Sequence, residues 1–316
     1  MSDENSNNPP EEPQLFAVKK SEGGGWQFSR REFIKGAGAT ATVLGVGGML
    51  SGCQSEALPT STPVPTPTNT PYPTNTPPPP ANSPSGAYAH QHGVSSIAIS
   101  PDGLILISAD SYNGSIKLWS LPDGAFIKTL EKHKYGITSI VVSLDGIFLA
   151  SASLDKTIKL WSLPDGELLN TLEGHTEHIL SVAMNPDNTL LVSASDDKTI
   201  KLWSLPDGTI LNTIEESAIQ SITMSPDGTF FASGNLSGVI KLWSLPDGTL
   251  LNTFRYQYRG SIDSIAITSN SDLLISTDSK KIEILSLPDG VHQKSLEEHT
   301  NGVLSVAISP DETHLV

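Results

Sequence analysis

Beyond residue 87 the sequence predicts an all-β fold made of repeated four-stranded units, on three observations: a recurring string, apolar residues alternating with period two, and a turn tripeptide punctuating both. The string Ile-Lys-Leu-Trp-Ser-Leu-Pro-Asp-Gly ends at Gly124, Gly166, Gly208 and Gly248, then decays to Ile-Glu-Ile-Leu-Ser-Leu-Pro-Asp-Gly ending at Gly290. Its markers Trp119, Trp161, Trp203, Trp243 and Leu285 lie 42, 42, 40 and 42 residues apart. A fixed period of this size is the signature of a repeat architecture whose unit is one supersecondary element.

The alternation locates the first strand of each unit. Ile97 and Ile99, Ile140 and Val142, Val182 and Met184, Ile222 and Met224, Ile265 and Ile267, and Val306 and Ile308 each sit two apart, which is strand and not helix periodicity. Their neighbours are small, as in Ser96 and Ala98, Ser181 and Ala183, or Ser264 and Ala266, and suit a crowded place where sheets converge. Three further strands follow, centred near 105–108, 116–119 and 126–130 in the first unit and at equivalent positions in later ones. Pro-Asp-Gly occurs seven times between strands, with variants at Asp145, Asp187 and Asp311. Proline is expected at the first turn position, Asp as a local cap, and Gly where φ is positive.

Composition narrows the function. The chain carries a net charge of −15, and after residue 52 it holds 28 acids against 14 bases. So acidic a surface is repelled by phosphate backbones, which excludes nucleic acid as the partner. Ten of those acids occupy the turns, so the acidity is substantially structural and weakens any argument for a basic partner. A single cysteine, Cys53, excludes an internal disulfide framework and a cysteine metal cluster.

Four-stranded units of about 42 residues, with Gly-His ahead and Trp behind, resemble WD-repeat β-propellers over residues 90–316. The fold class implied is an all-β WD-repeat β-propeller, domain 87–316, with five complete four-stranded blades and an incomplete sixth. Because the sequence stops inside the second strand of that sixth unit, the expectation is a truncated ring of six or seven blades, open as written, with residues 87–90 as a candidate closing strand. The resemblance also implies a structural hydrogen-bond chain of four side chains: His133, Ser151, Asp155 and Trp161 in blade two, and His175, Ser193, Asp197 and Trp203 in blade three. Blade one is expected to use His92, Ser108 and Trp119, with Asn113 near the Asp position. Blade four lacks the His and puts Ser237 at the Asp position, while blade five has Leu285 for Trp. Those two are expected to be the least rigid.

His, Ser and Asp together also invite a hydrolase reading. A nucleophile needs an exposed hydroxyl beside its base and an oxyanion pocket. Here the set recurs, its Trp donor marks a brace, and no G-x-S-x-G elbow is present. No catalytic residue, cofactor or metal is therefore expected; His90 with His92 and His175 with His178 lack further ligands.

Residues 1–52 read as an export address. Arg30 and Arg31, with Phe33 and Lys35, precede a Gly-diluted apolar stretch at 36–50 and then Leu-Ser-Gly-Cys ending at Cys53. They resemble a bacterial twin-arginine signal followed by a lipobox, implying cleavage after residue 52, lipidation of Cys53 and transport of an already folded domain. The alternative is an uncleaved membrane helix, for which about 20 apolar residues are needed. Residues 53–86 form the lipidated Cys and a stalk: 59–85 contain eleven prolines and no charge, an extended spacer reaching roughly 80 Å at about 3.1 Å per residue. Its Thr-Pro composition permits O-glycosylation.

Partner contact is expected on the loop rim, where Tyr112, Tyr135, Tyr256 and Tyr258 fall, with Arg255 and Arg259 bracketing the last two. Tyr and Arg are enriched at interface hot spots; the opposing reading is a degenerate repeat drifting toward polar residues. The function expected is a non-enzymatic, membrane-anchored extracytoplasmic scaffold in the bacterial cell envelope that binds unknown protein partners. The alternatives are a propeller enzyme or a small-ligand or polysaccharide binder using the central channel.

Overall fold

The computed structural model describes residues 17–20, 26–29, 90–121, 123–131, 133–255, 260–278, 280–309 and 311–316, and every regular element among them is a β-strand. A short antiparallel hairpin pairs Ala17–Lys20 with Trp26–Ser29, inside the stretch read as an export signal. The remaining strands form five antiparallel four-stranded meanders, each in simple sequence order. Blade one is Val94–Ile99, Ile105–Asp110, Ile116–Ser120 and Phe126–Thr129. Blade two is Ile137–Val142, Phe148–Ser153, Ile158–Ser162 and Leu168–Leu172. Blade three is Ile179–Met184, Leu190–Ser195, Thr199–Ser204 and Ile210–Glu215. Blade four is Ile219–Met224, Phe230–Asn235, Val239–Ser244 and Leu250–Arg255. Blade five has a first strand of only three residues, Ile265–Ile267, then Leu273–Asp278, Lys281–Ser286 and His292–Leu296. A partial sixth blade begins where Ala307 and Val316 exchange both backbone bonds, beside an Ile308–Leu315 bridge.

The core lies between blades. Blade one contributes Ile107, Ile116 and Leu118 to a cluster completed by Ile137, Ile140, Leu149 and Trp161 of blade two. The same arrangement repeats at each seam, ending with Ile275 and Ile284 of blade five against Val303, Val306 and Leu315. Each buried aliphatic side chain contributes about 1.5–3 kcal/mol, and blades two to five bury both faces, so none of them keeps its core without a neighbour; the second face of blade one, with Ile97, Leu106 and Trp119, is only half-buried. That mutual dependence turns the periodic sequence into successive vanes.

Two hydrogen-bond ladders stitch the vanes. On the inner side, the hydroxyls of Ser96, Ser139, Ser181 and Ser264 accept the first-strand amides of Ile140, Val182, Ile222 and Val306 one blade on, at 3.1–3.4 Å. This is the physical content of the small residues there. At the seam between blades four and five no such serine bond forms among the described residues. On the outer side, the amides of Asn170, Asn212 and Asn252 donate to Asp207, Asp247 and Pro288 carbonyls in the next blade's last turn, at 3.0, 2.7 and 3.0 Å.

The turns divide into two kinds. Between first and second strands, Ser100-Pro101-Asp102-Gly103 closes with the Gly103 amide on the Ser100 carbonyl at 2.8 Å, and Asp102 accepts the Leu104 amide at 3.0 Å. Between third and fourth strands, the expected proline placement is corrected: Leu163-Pro164, Leu205-Pro206, Leu245-Pro246 and Leu287-Pro288 are cis, and Gly166 closes a longer loop onto the Ser162 carbonyl at 2.8 Å. Gly290 shows why glycine ends this turn. Its φ is +68°, and a Cβ there would lie 2.2 Å from Phe254 Cδ1 of the preceding blade.

Candidate functional site

Each blade brings three loops to one end: the approach to its first strand, the turn between its second and third strands, and the approach to the next blade. In blade two His133 comes from the approach, Ser151 from the second strand, Asp155 from the turn and Trp161 from the third strand. Trp161 Nε1 donates to Ser151 Oγ at 2.9 Å, Ser151 Oγ meets His133 Nε2 at 2.8 Å, and His133 Nδ1 meets Asp155 Oδ2 at 2.9 Å. Blade three repeats this through Trp203, Ser193, His175 and Asp197 at 2.8, 2.7 and 2.7 Å. An imidazole with its proton on Nδ1 satisfies every link: indole to hydroxyl, hydroxyl to Nε2, Nδ1–H to carboxylate. The carboxylates in turn cap their loops, Asp155 accepting the Lys134 and Thr157 amides and Asp197 those of Thr176 and Thr199.

Burial alone would raise these carboxyl groups, but the donors outweigh it. Hydrogen bonds from His133, Thr157 and the Lys134 amide hold Asp155 well below the usual carboxylate range. Those from Thr199, His175 and the Thr176 amide lower Asp197 to about 2. Burial lowers His175, and its bond to Asp197 only partly opposes this.

Ser–His–Asp contacts at these distances resemble a catalytic triad in geometry but not in access. Ser151 and Ser193 are fully buried, and each oxygen already accepts a tryptophan N–H. No substrate carbonyl can approach such a hydroxyl, so the arrangement serves as a brace. Among the described residues no cluster of three or more His, Cys, Asp or Glu forms that could hold a metal.

Blade one corrects the sequence reading. His90, not His92, meets Ser108 Oγ at 2.7 Å, and Trp119 donates to that oxygen at 2.8 Å. The acid is Asp110, not Asn113: its Oδ2 lies 3.4 Å from His90 Nδ1, while its Oδ1 accepts the Tyr112 and Asn113 amides. The turn is one residue longer here, which moves the usual acid position away, and Asp110 at the end of the second strand lies beside the imidazole with its Oδ2 buried and without a hydrogen bond, so the chain stops at His90. The His-to-Ser interval of 18 residues, shared by His133, His175 and His90, is the signal that identifies the right histidine. His92 instead packs edge-on against Tyr112 with ring centroids 4.6 Å apart.

Blades four and five use substitutes that sequence reasoning missed. In blade four Trp243 still donates to Ser233 at 2.8 Å, and Phe231 stacks on its indole. Glu216 takes the histidine's place: its amide bonds the Lys198 carbonyl as the His133 amide bonds Gly114, and its carboxylate pairs with Lys241. In blade five Leu285 packs in the core, and Glu283 replaces the lysine found at Lys159, Lys201 and Lys241. This buried carboxylate takes the Ser295 hydroxyl at 2.6 Å and contacts His292 Nε2 at 2.9 Å. Ser295 meets the same nitrogen, so the imidazole does not stand between serine and acid and no relay forms.

At the rim, Tyr112 is 73% exposed and Tyr135 50%. Their loops touch through backbone, since a Cβ on Gly136 would lie 2.0 Å from the Ser111 carbonyl oxygen. Lys134 Nζ sits 5.3 Å above the Tyr135 ring. The structure thus brings Tyr112 and Tyr135 together where blades one and two meet. Arg255 ends the last strand of blade four, exposed and paired in register with Val239, with blade three between it and the tyrosines. Tyr256, Tyr258 and Arg259 lie outside the described residues, as do Arg30, Arg31, Phe33, Lys35 and Cys53.

Comparison with known families places this geometry. A family model described as the IFT122 first beta-propeller matches residues 93–267, more than half of the chain, and one described as WD domain, G-beta repeat matches residues 290–316. No curated protein matches.

Proposed function

We propose, because this chain belongs to the WD-repeat β-propeller family described as the IFT122 first beta-propeller, that it is a non-enzymatic scaffold whose loop rim holds protein partners. Propellers of this kind commonly mediate protein–protein interaction and are generally not enzymes. The observation that carries the reading is the pair Tyr112 and Tyr135, exposed on touching loops that buried hydrogen-bond chains hold still. A rigid aromatic presented at low entropic cost is what a binding hot spot requires. Arg255 and the neighbouring Tyr256, Tyr258 and Arg259 extend the same chemistry to the approach to blade five. The scaffold is exported through Arg30, Arg31, Phe33 and Lys35 and anchored by lipid on Cys53, with residues 53–86 as the spacer; two or more acyl chains hold stably where one binds marginally.

Cross-linking in the native cell envelope, followed by capture with the double variant Tyr112→Ala, Tyr135→Ala, tests the rim. Partner yield should fall about tenfold or more while the melting temperature stays constant; undiminished capture refutes it. The anchor is tested separately, by whether Cys53→Ala abolishes processing and releases the domain from membranes.

A further inference from the structure

The opposite end of the blades has a different chemistry. In all five blades both hairpin turns at this end carry an aspartate, and none carries a lysine or arginine. The two turns meet within each blade, as the Leu163 amide bonds the Ile147 carbonyl at 2.7 Å and the Leu205 amide bonds Thr189 at 2.8 Å. Lys156 and Lys198 sit in the second-to-third turns, at the far end. The turns at this end thus carry carboxylates and no base of their own, and a lysine that reaches them, Lys128 of blade one, donates its ammonium to the Asp165 carbonyl at 2.6 Å.

Aliphatic side chains stand beside those acids. The fourth strand is the outer edge of every sheet, and its first residues are Leu168 and Leu169, Ile210 and Leu211, Leu250 and Leu251 in blades two to four. Leu169, Leu211 and Leu251 are 48%, 51% and 56% exposed. Leucine on a free sheet edge invites association, and proteins usually blunt such edges with charge or proline; a recurring exposed apolar row marks an interaction surface. The asparagine ladder sets the spacing. Asn170 bonds the Asp207 carbonyl and Asn212 that of Asp247, so each aliphatic pair has the next blade's aspartate alongside. Asp165, Asp207 and Asp289 are exposed, and none of their carboxylates makes a hydrogen bond among the described residues. Bracing of the fold does not account for these three.

We propose that this belt on blades two to four is a second docking surface, for a partner segment in which aliphatic or aromatic side chains alternate with lysine or arginine. Charge complementarity selects that occupant: anionic lipid, and a second copy of the same acidic belt, would both be repelled. The surface is independent of the rim.

The test measures fluorescence anisotropy of the full chain with a synthetic amphipathic peptide of leucine and lysine, and with its leucine–glutamate counterpart. Binding of the lysine peptide alone is expected. The triple variant Leu169→Ser, Leu211→Ser, Leu251→Ser should weaken it about tenfold or more, as loss of an apolar anchor does. A second triple, Asp165→Asn, Asp207→Asn, Asp289→Asn, should weaken it and flatten its salt dependence, and Tyr112→Ala with Tyr135→Ala should leave it unchanged. Leucine variants that bind as well as the parent would show attraction by net charge alone and overturn the proposal. So would a dimer in light scattering that the leucine triple dissociates, or equal binding to anionic vesicles.

Discussion

Blades three and five have the same four-strand meander and are held together differently. In blade three an indole, a hydroxyl, an imidazole and a carboxylate join the third strand, second strand, approach loop and turn in one buried chain. Blade five has a leucine where that chain would begin, a first strand half as long, and a buried glutamate satisfied from its outer strand. Blade four lies between them, keeping Trp243 on Ser233 but exchanging His–Asp for the Glu216–Lys241 pair. The lesson is a division of labour: inter-blade apolar packing suffices to form a blade, and the polar chain fixes its loops.

The difference can be broken most severely at Trp203, which is 1% exposed and packs against blade two. Trp203→Ala should cost about 4 kcal/mol, read as a lower urea midpoint. Next is His175→Ala, which leaves Ser193 and Asp197 buried without their shared partner and should cost about 2–3 kcal/mol. The matching change in blade four, Glu216→Ala, removes a partly solvated ion pair and should cost under about 1 kcal/mol. Equal losses for those two variants would erase the distinction between a buried chain and its substitute.

Acid sharpens it further. The folded-state affinity of Asp197 for a proton is depressed to about 2, below the unfolded carboxylate value, so its stabilisation is complete above about pH 4 and is lost as pH falls toward 2. His175 is also depressed, which means the unfolded chain takes up a proton below about pH 6.5 that the folded chain refuses; stability is lost there too on acidification. Both contributions have the same sign. A circular dichroism titration should show Asp197→Asn with a shallower acid limb than the parent, and an unchanged limb would contradict the assignment.

Much of this was legible in the sequence because it depends on spacing. The repeat of the Trp marker and the alternation of Ile97 with Ile99 located the strands, and constant intervals marked the four partners in blades two and three. Blade one misled because one inserted residue broke the interval to the acid, although the interval back to His90 was intact. Glu216 escaped notice because it resembles histidine neither in size nor in charge; only its backbone bond marks the shared position. The Asn170, Asn212 and Asn252 ladder was in plain view as a recurring Asn-Thr, yet it bonds to backbone carbonyls 35 to 37 residues on, where the partner's side chain leaves no trace. Tyr112 and Arg255 could be assigned to one rim but not to neighbouring or distant positions on it, because a linear chain shows which end of a blade a loop occupies but not how many vanes separate two loops.

Native-state hydrogen exchange, resolved strand by strand, tests the account most directly. The second-strand amides of blades two and three, around Ser151 and Ser193, should exchange only through the largest opening, and those of blade five, around Ser276, should exchange through a smaller and earlier one. Protection in blade five equal to or above that of blade three would show that the buried Trp–Ser–His–Asp chain does not set the rigidity of a blade.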